Sequence, residues 1–193
     1  QVTVAEASAA GQHSLEALFK VLLGCCEQEP KVTARFIDYY KAREGGSPET
    51  GPLWAFYLEG LDSTFQVARR EEMLAAFVRN RTWQCPLLRC NHFHADPEAP
   101  TFQDDETHAY VQVGMRRAWE DDRDTLRVAL ARTNPRDNQG YFDKQKDLVR
   151  DMQRSGIGIL AGSGLGQPFV VAGFGLHAEL ATLVEAVLIV LVV

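Results

Sequence analysis

Residues 141–187 read YFDKQKDLVRDMQRSGIGILAGSGLGQPFVVAGFGLHAELATLVEAV, and the order of patterns in that stretch decides the fold class. Tyr141, Phe142, Gln145, Leu148, Val149 and Met152 recur at helical spacing, with Asp143, Lys144, Lys146, Asp147, Arg150 and Asp151 opposite them, which predicts an amphipathic helix. Gly156 ends it, because glycine takes the left-handed turn that closes a helix without steric cost. Ile157–Ala161 is a short apolar run suited to a buried strand. Gly162-Ser163-Gly164-Leu165-Gly166 then turns the chain, and Leu176, Leu180, Leu183, Val184 and Val187 mark the apolar face of another helix. Helix, strand, glycine turn and helix in that order is the pattern of α/β proteins with parallel strands.

The same order recurs upstream. Asp62 is an expected N-cap for a helix on which Val67, Leu74, Phe77 and Val78 repeat, and Thr82–Cys90 follows with strand-like content, Pro86 lying at a strand end or edge. Ser14–Gly24 reads as a strand end running into a helix, and Lys31–Arg43 as a second helix stopped by Glu44-Gly45-Gly46-Ser47-Pro48. Residues 44–52 are the candidate internal boundary of what otherwise reads as one domain over 1–193. Residues 91–107 are polar, contain Pro97 and Pro100, and predict a long loop. Helices are expected at Val111–Trp119 and Asp121–Ala131, with a break at Asn134-Pro135.

Bulk properties narrow the function. The chain has 193 residues and a net charge of −6, and its basic residues gather into no block, so the field that nucleic acid requires is missing. The first residues lack the basic start and apolar run of a signal peptide. Residues 186–193, AVLIVLVV, fall far short of the roughly 20 residues needed to cross a bilayer. They read as a buried terminal element or a subunit-docking segment. Cys25, Cys26, Cys85 and Cys90 are too sparse for a disulfide scaffold and read as reduced thiols in a cytoplasmic protein.

Chemistry has few places to sit. The glycine turn at 162–166 lacks both the GxGxxG spacing and the lysine of a phosphate-binding loop, so no nucleotide cofactor is expected. His92 and His94 would share a face if the chain there were extended, and are the candidate metal ligands. Ser14, Ser163, Cys85 and Cys90 carry no local signature linking a nucleophile to a base, and no catalytic residue is assigned. Asp104-Asp105-Glu106 and Glu120-Asp121-Asp122 read as solvated faces.

Several stretches, taken in order, resemble the C-terminal portion of metal-dependent amidohydrolases of the imidazolonepropionase and prolidase type. Ala10–Glu16 is similar to the entry into the sixth barrel strand, Phe77–Asn80 with Thr82–Pro86 to the seventh, and Ile157–Gly162 to the eighth. Pro168, Gly173–His177 and Glu179–Ala186 are similar to the following loop and helix. The resemblance implies C–N bond hydrolysis by a water activated on zinc or another divalent metal, and a substrate pocket that includes Ser163 and His177. It also implies a histidine after Glu16 and an aspartate after Ser163, where Ala17 and Gly164 stand. A complete (β/α) barrel takes about 250 residues. The expected architecture is therefore α/β, a partial (β/α) barrel-like layer with few parallel strands and many helices, or else a largely helical rearrangement. The expected function is an amidohydrolase-type hydrolase impaired by its missing ligands and holding no metal, or else a non-catalytic binding or self-assembly protein. A part-barrel exposes strand edges, so a homo-oligomer or a partner chain is expected to cover them, with neither nucleic acid nor a membrane span involved.

Overall fold

The computed structural model describes residues 2–44, 64–103, 106–131, 133 and 135–188. Within them the fold is mixed α/β and mostly helical. Helix α1 (Val4–Ala9) opens on a capping box in which the Thr3 backbone N–H donates to the Glu6 carboxylate at 2.8 Å and the Glu6 N–H donates to Thr3 Oγ1 at 3.2 Å. Strand β1 (Ser14–Glu16) leads into α2 (Phe19–Gly24) and then α3 (Glu29–Glu44). Helix α4 (Val67–Asn80) follows, starting after Gln66, while the expected cap Asp62 and the boundary at 44–52, past Glu44, lie outside the described residues.

Strand β2 (Trp83–Cys85) pairs in parallel with β1, Ser14 opposite Trp83 and Glu16 opposite Cys85. The run 157–160 joins on the far side of β2 through one parallel bridge at Ile159: Gln84 N–H donates to the Gly158 carbonyl at 2.9 Å and Leu160 N–H to the Gln84 carbonyl at 2.8 Å. Three short parallel segments therefore lie side by side in chain order. Pro86 stands one residue past β2, where a missing N–H costs the ladder nothing.

Three expectations are corrected here. Residues 91–107 are not a long loop: α5 (Leu88–Ala95), α6 (Pro100–Gln103) and a 3-10 turn at Glu106–Tyr110 occupy most of them. Polarity misleads because Phe93 and Phe102, buried at 3% and 1% exposure, anchor these short elements from within. Second, 111–131 holds one helix, α7 (Val113–Leu130), rather than two. Glu120 and Asp124 pair with Arg123 and Arg127 at 2.9 and 2.7 Å, so the acidic run continues the helix instead of breaking it. Third, the apolar face expected on the last helix, α9 (Phe174–Leu188), divides: Leu183 and Val187 pack inward while Leu176, Leu180 and Val184 face outward. This helix is apolar on nearly every side, so no polar stripe dictates which face meets water.

Helix α8 (Pro135–Arg154) behaves as its periodicity predicts, with Tyr141, Phe142, Gln145, Leu148, Val149 and Met152 all buried, and Gly156 closing the turn at φ 78°. Its inner face, together with Leu18, Leu22, Phe77 and Leu88, builds one apolar cluster running from α1 to α9. A smaller cluster of Phe93, Phe102, Trp119, Phe169 and Val171 packs α5 and α6 against α7.

Candidate functional site

At the ends of the parallel segments the chain turns sharply. Ala17, directly after β1, has φ 62°, and its N–H donates to the Cys85 carbonyl at 2.9 Å. Leu87, between β2 and α5, has φ 53°, and Gly164, beyond the third segment, has φ 65°. Phe169 has φ 58°. For a side chain with a Cβ the left-handed region costs roughly 1–2 kcal/mol. Such strain persists where the surroundings over-determine the backbone, and it gathers at ligand sites.

A cavity of about 740 Å³ opens beside these turns. Its floor holds Ala17, Leu87, Gln167 and Pro168, and one wall comes from α2 and α3 with Phe19, Leu23, Phe36 and Tyr39. The other wall is Cys90, Asn91, Phe93 and His94 of α5, joined by Asp122, Thr125, Leu126 and Ala129 of α7 and Tyr141 of α8. Position and size are those of small-molecule sites in α/β proteins, which lie outside the carboxyl ends of parallel strands and enclose roughly 300–1,000 Å³. Lys20, Glu29 and Asp122 bring the charges.

Helix α5 carries much of this wall, and its N-terminus is held from a distance. Leu87 at its N-cap has no side-chain oxygen, so α9 supplies one: the Glu179 carboxylate, fully buried, accepts from Leu88 N at 2.9 Å and Arg89 N at 2.7 Å. Burial pushes this carboxyl above its ordinary range, and the amides pull it partly back. Arg89 is itself buried, donating to Thr101 Oγ1 at 2.6 Å and to the Thr101 carbonyl at 2.9 Å, with its guanidinium 4.1 Å over the Phe102 ring.

The extended geometry expected for the two histidines is replaced by helix, and this separates them. Residues two apart on a helix point about 200° apart. His92 stacks on Phe142, rings 4.6 Å apart and 7° from parallel, whereas His94 lines the cavity with Nδ1 2.8 Å from the Cys90 carbonyl. A carbonyl only accepts, so Nδ1 of His94 carries the proton. Ser163 lies on the glycine turn, its Oγ accepting from Leu165 N at 3.3 Å, and His177 is exposed on α9; neither lines the cavity. All four cysteines are buried thiols outside any disulfide, and burial pushes them up, Cys25 to about 12 and Cys26 and Cys90 to about 11. Cys90 is thus a neutral wall of the cavity at physiological pH, not a thiolate nucleophile.

The residues present do not fit the metal centre that the amidohydrolase resemblance implies. Ala17 has no donor atom, and Gly164 has neither a donor nor room for one, because a Cβ built there would overlap Cys90 Sγ. Among the described residues no three His, Cys, Asp or Glu side chains converge as a metal site. The residues that do converge were named in the sequence only in part: the turn after β1 was readable, but α5 read as a strand end and a loop, and nothing marked α3 and α7 as cavity walls.

Burial holds both His92 and His94 below the ordinary imidazole value. A depressed folded-state value contributes stability that is present above the unfolded value, about 6.5, and is lost as pH falls through the folded one. Thermal melts between about pH 7 and about pH 5 will therefore show a destabilisation that shrinks in His92→Phe and His94→Gln. An unchanged slope in both variants would contradict the burial of these rings.

Comparison with family models, with curated proteins and with solved structures finds no match to this chain.

Proposed function

We propose that this chain is a non-catalytic binding protein that takes a small amphipathic molecule into the cavity at the ends of its parallel segments. The observation that carries the reading is the coincidence of that cavity with the strained turns at Ala17 and Leu87. Apolar walls with a few polar groups favour a ligand that buries most of its surface. The neutral dye Nile red will bind at one site per chain, and Thr125→Trp, which places a large ring at an exposed position of the lining, will weaken it at least about tenfold. Purified protein will hold less than one tightly bound zinc per chain by native mass spectrometry. Stoichiometric metal with amide hydrolysis that chelation abolishes would overturn the non-catalytic reading.

The second reading is that the chain descends from a (β/α) barrel hydrolase of the amidohydrolase kind. It is favoured by the side-by-side, parallel, in-order arrangement of the segments at 14–16, 83–85 and around 159, which the resemblance assigns to consecutive strands. No hydrolytic step is derived from it, since the ligand positions 17 and 164 do not fit a metal.

Self-association belongs to the same proposal. Leu176, Leu180 and Val184 form an outward apolar stripe on α9, and Leu160 of the third parallel segment is also exposed. Unpaired segments and exposed leucines together favour a second copy as the cover. Sedimentation velocity will show a concentration-dependent dimer that Leu180→Lys dissociates; a monomer at every concentration would refute it. Among the described residues no helix is long and apolar enough to cross a membrane. Four cysteines outside any disulfide support a reducing, cytoplasmic compartment.

A further inference from the structure

We propose that the ligand of this cavity is an organic cation, an amine or quaternary ammonium group on an aryl or alkyl body. The inference rests on the binding reading above and names the chemical class that the lining selects. Among the described lining residues two carboxylates, Glu29 in the first turn of α3 and Asp122 on α7, stand against one ammonium, that of Lys20. Glu29 is half-buried, and burial pushes its carboxyl up, so its charged form is under-solvated and gains when a cation is brought to it. Arg69 on α4, donating to the Cys26 carbonyl at 2.7 Å, keeps its charge and pulls the Glu29 carboxyl partly back down, but burial is the larger influence.

His94 adds no positive charge, being held neutral by burial. The same cavity is lined by five aromatic side chains, Phe19, Phe36, Tyr39, Phe93 and Tyr141. Phe19 and Phe36 meet edge to face at 5.2 Å and 86°. Ring faces attract cations and repel anions, most strongly where water is excluded. The field of the chain, net −6, draws cations in from solution as well. An anionic ligand would meet two carboxylates and aromatic side chains, with Lys20 the one Lys or Arg among the described lining residues.

The test is displacement of Nile red by three probes of similar size: benzyltrimethylammonium, its neutral isostere neopentylbenzene, and phenylacetate. The cation will displace the dye at a concentration at least about tenfold below the neutral isostere, and phenylacetate will be the weakest. Glu29→Gln will narrow the gap between cation and isostere at least about threefold, and Glu29→Gln with Asp122→Asn will close it. Equal displacement by all three, still blocked by Thr125→Trp, leaves the cavity as a binding site and overturns the cation. A preference for phenylacetate overturns it too. Dye binding indifferent to Thr125→Trp removes the cavity reading itself, and the cation with it.

Discussion

Glu179→Ala will lower the free energy of unfolding by about 3 kcal/mol, since two buried amides are left without their acceptor at roughly 1–3 kcal/mol each and part of the carboxyl's desolvation cost is recovered. For a chain of this size the melting temperature will drop by about 10 °C. The two amides are the first of α5, and no local side chain stands ready to replace the acceptor: Leu87 is the N-cap and Leu88 follows it. Glu179→Gln separates hydrogen bonding from packing. Its carbonyl can serve one amide while its NH2 faces the other, so it will lose about half as much. Because burial raises the folded-state value of this carboxyl, its contribution is full below the unfolded value and fades as pH rises through the folded one. Equal stability of wild type and Glu179→Ala in urea melts would refute the long-range cap.

Gly164→Asp, which restores the acid that an amidohydrolase would carry, will destabilise by about 2–4 kcal/mol and recruit no metal. Two costs add. The left-handed backbone at φ 65° costs a side-chain-bearing residue roughly 1 kcal/mol, and overlap with Cys90 Sγ forces a shift of buried atoms at roughly 1–3 kcal/mol. Cys90→Ala in the same chain will recover the steric share while leaving the backbone share. Stoichiometric zinc in the double variant, measured by native mass spectrometry, would show that the acid alone was missing and would revive the hydrolase reading.

The residues differ in how openly they declare their structure. Helix α8 is legible because its periodicity is local and its burial follows it: Leu148, Val149 and Met152 are inside as their spacing requires. The parallel starts near Ser14, Trp83 and Ile157 are legible because short apolar runs end in turn residues. Helix α5 is not, and the reason is physical: the oxygen that caps it lies on α9, so no residue near Leu88 announces a start. The error on His92 and His94 follows from that one, since a pair two residues apart shares a face only on a strand. The cavity is hidden for a similar reason, its walls being assembled from α3, α5 and α7.

The parallel pairing sets the order of events when the chain folds. Ser14 lies against Trp83 and Gln84 against Ile159, so each ladder closes a long loop before it gains a hydrogen bond. Helices such as α4 and α8 form from neighbours and can appear early. The sheet, and the binding site at its mouth, must wait for distant encounters, which makes native architecture the slow phase of refolding and leaves unpaired segments open to other chains meanwhile.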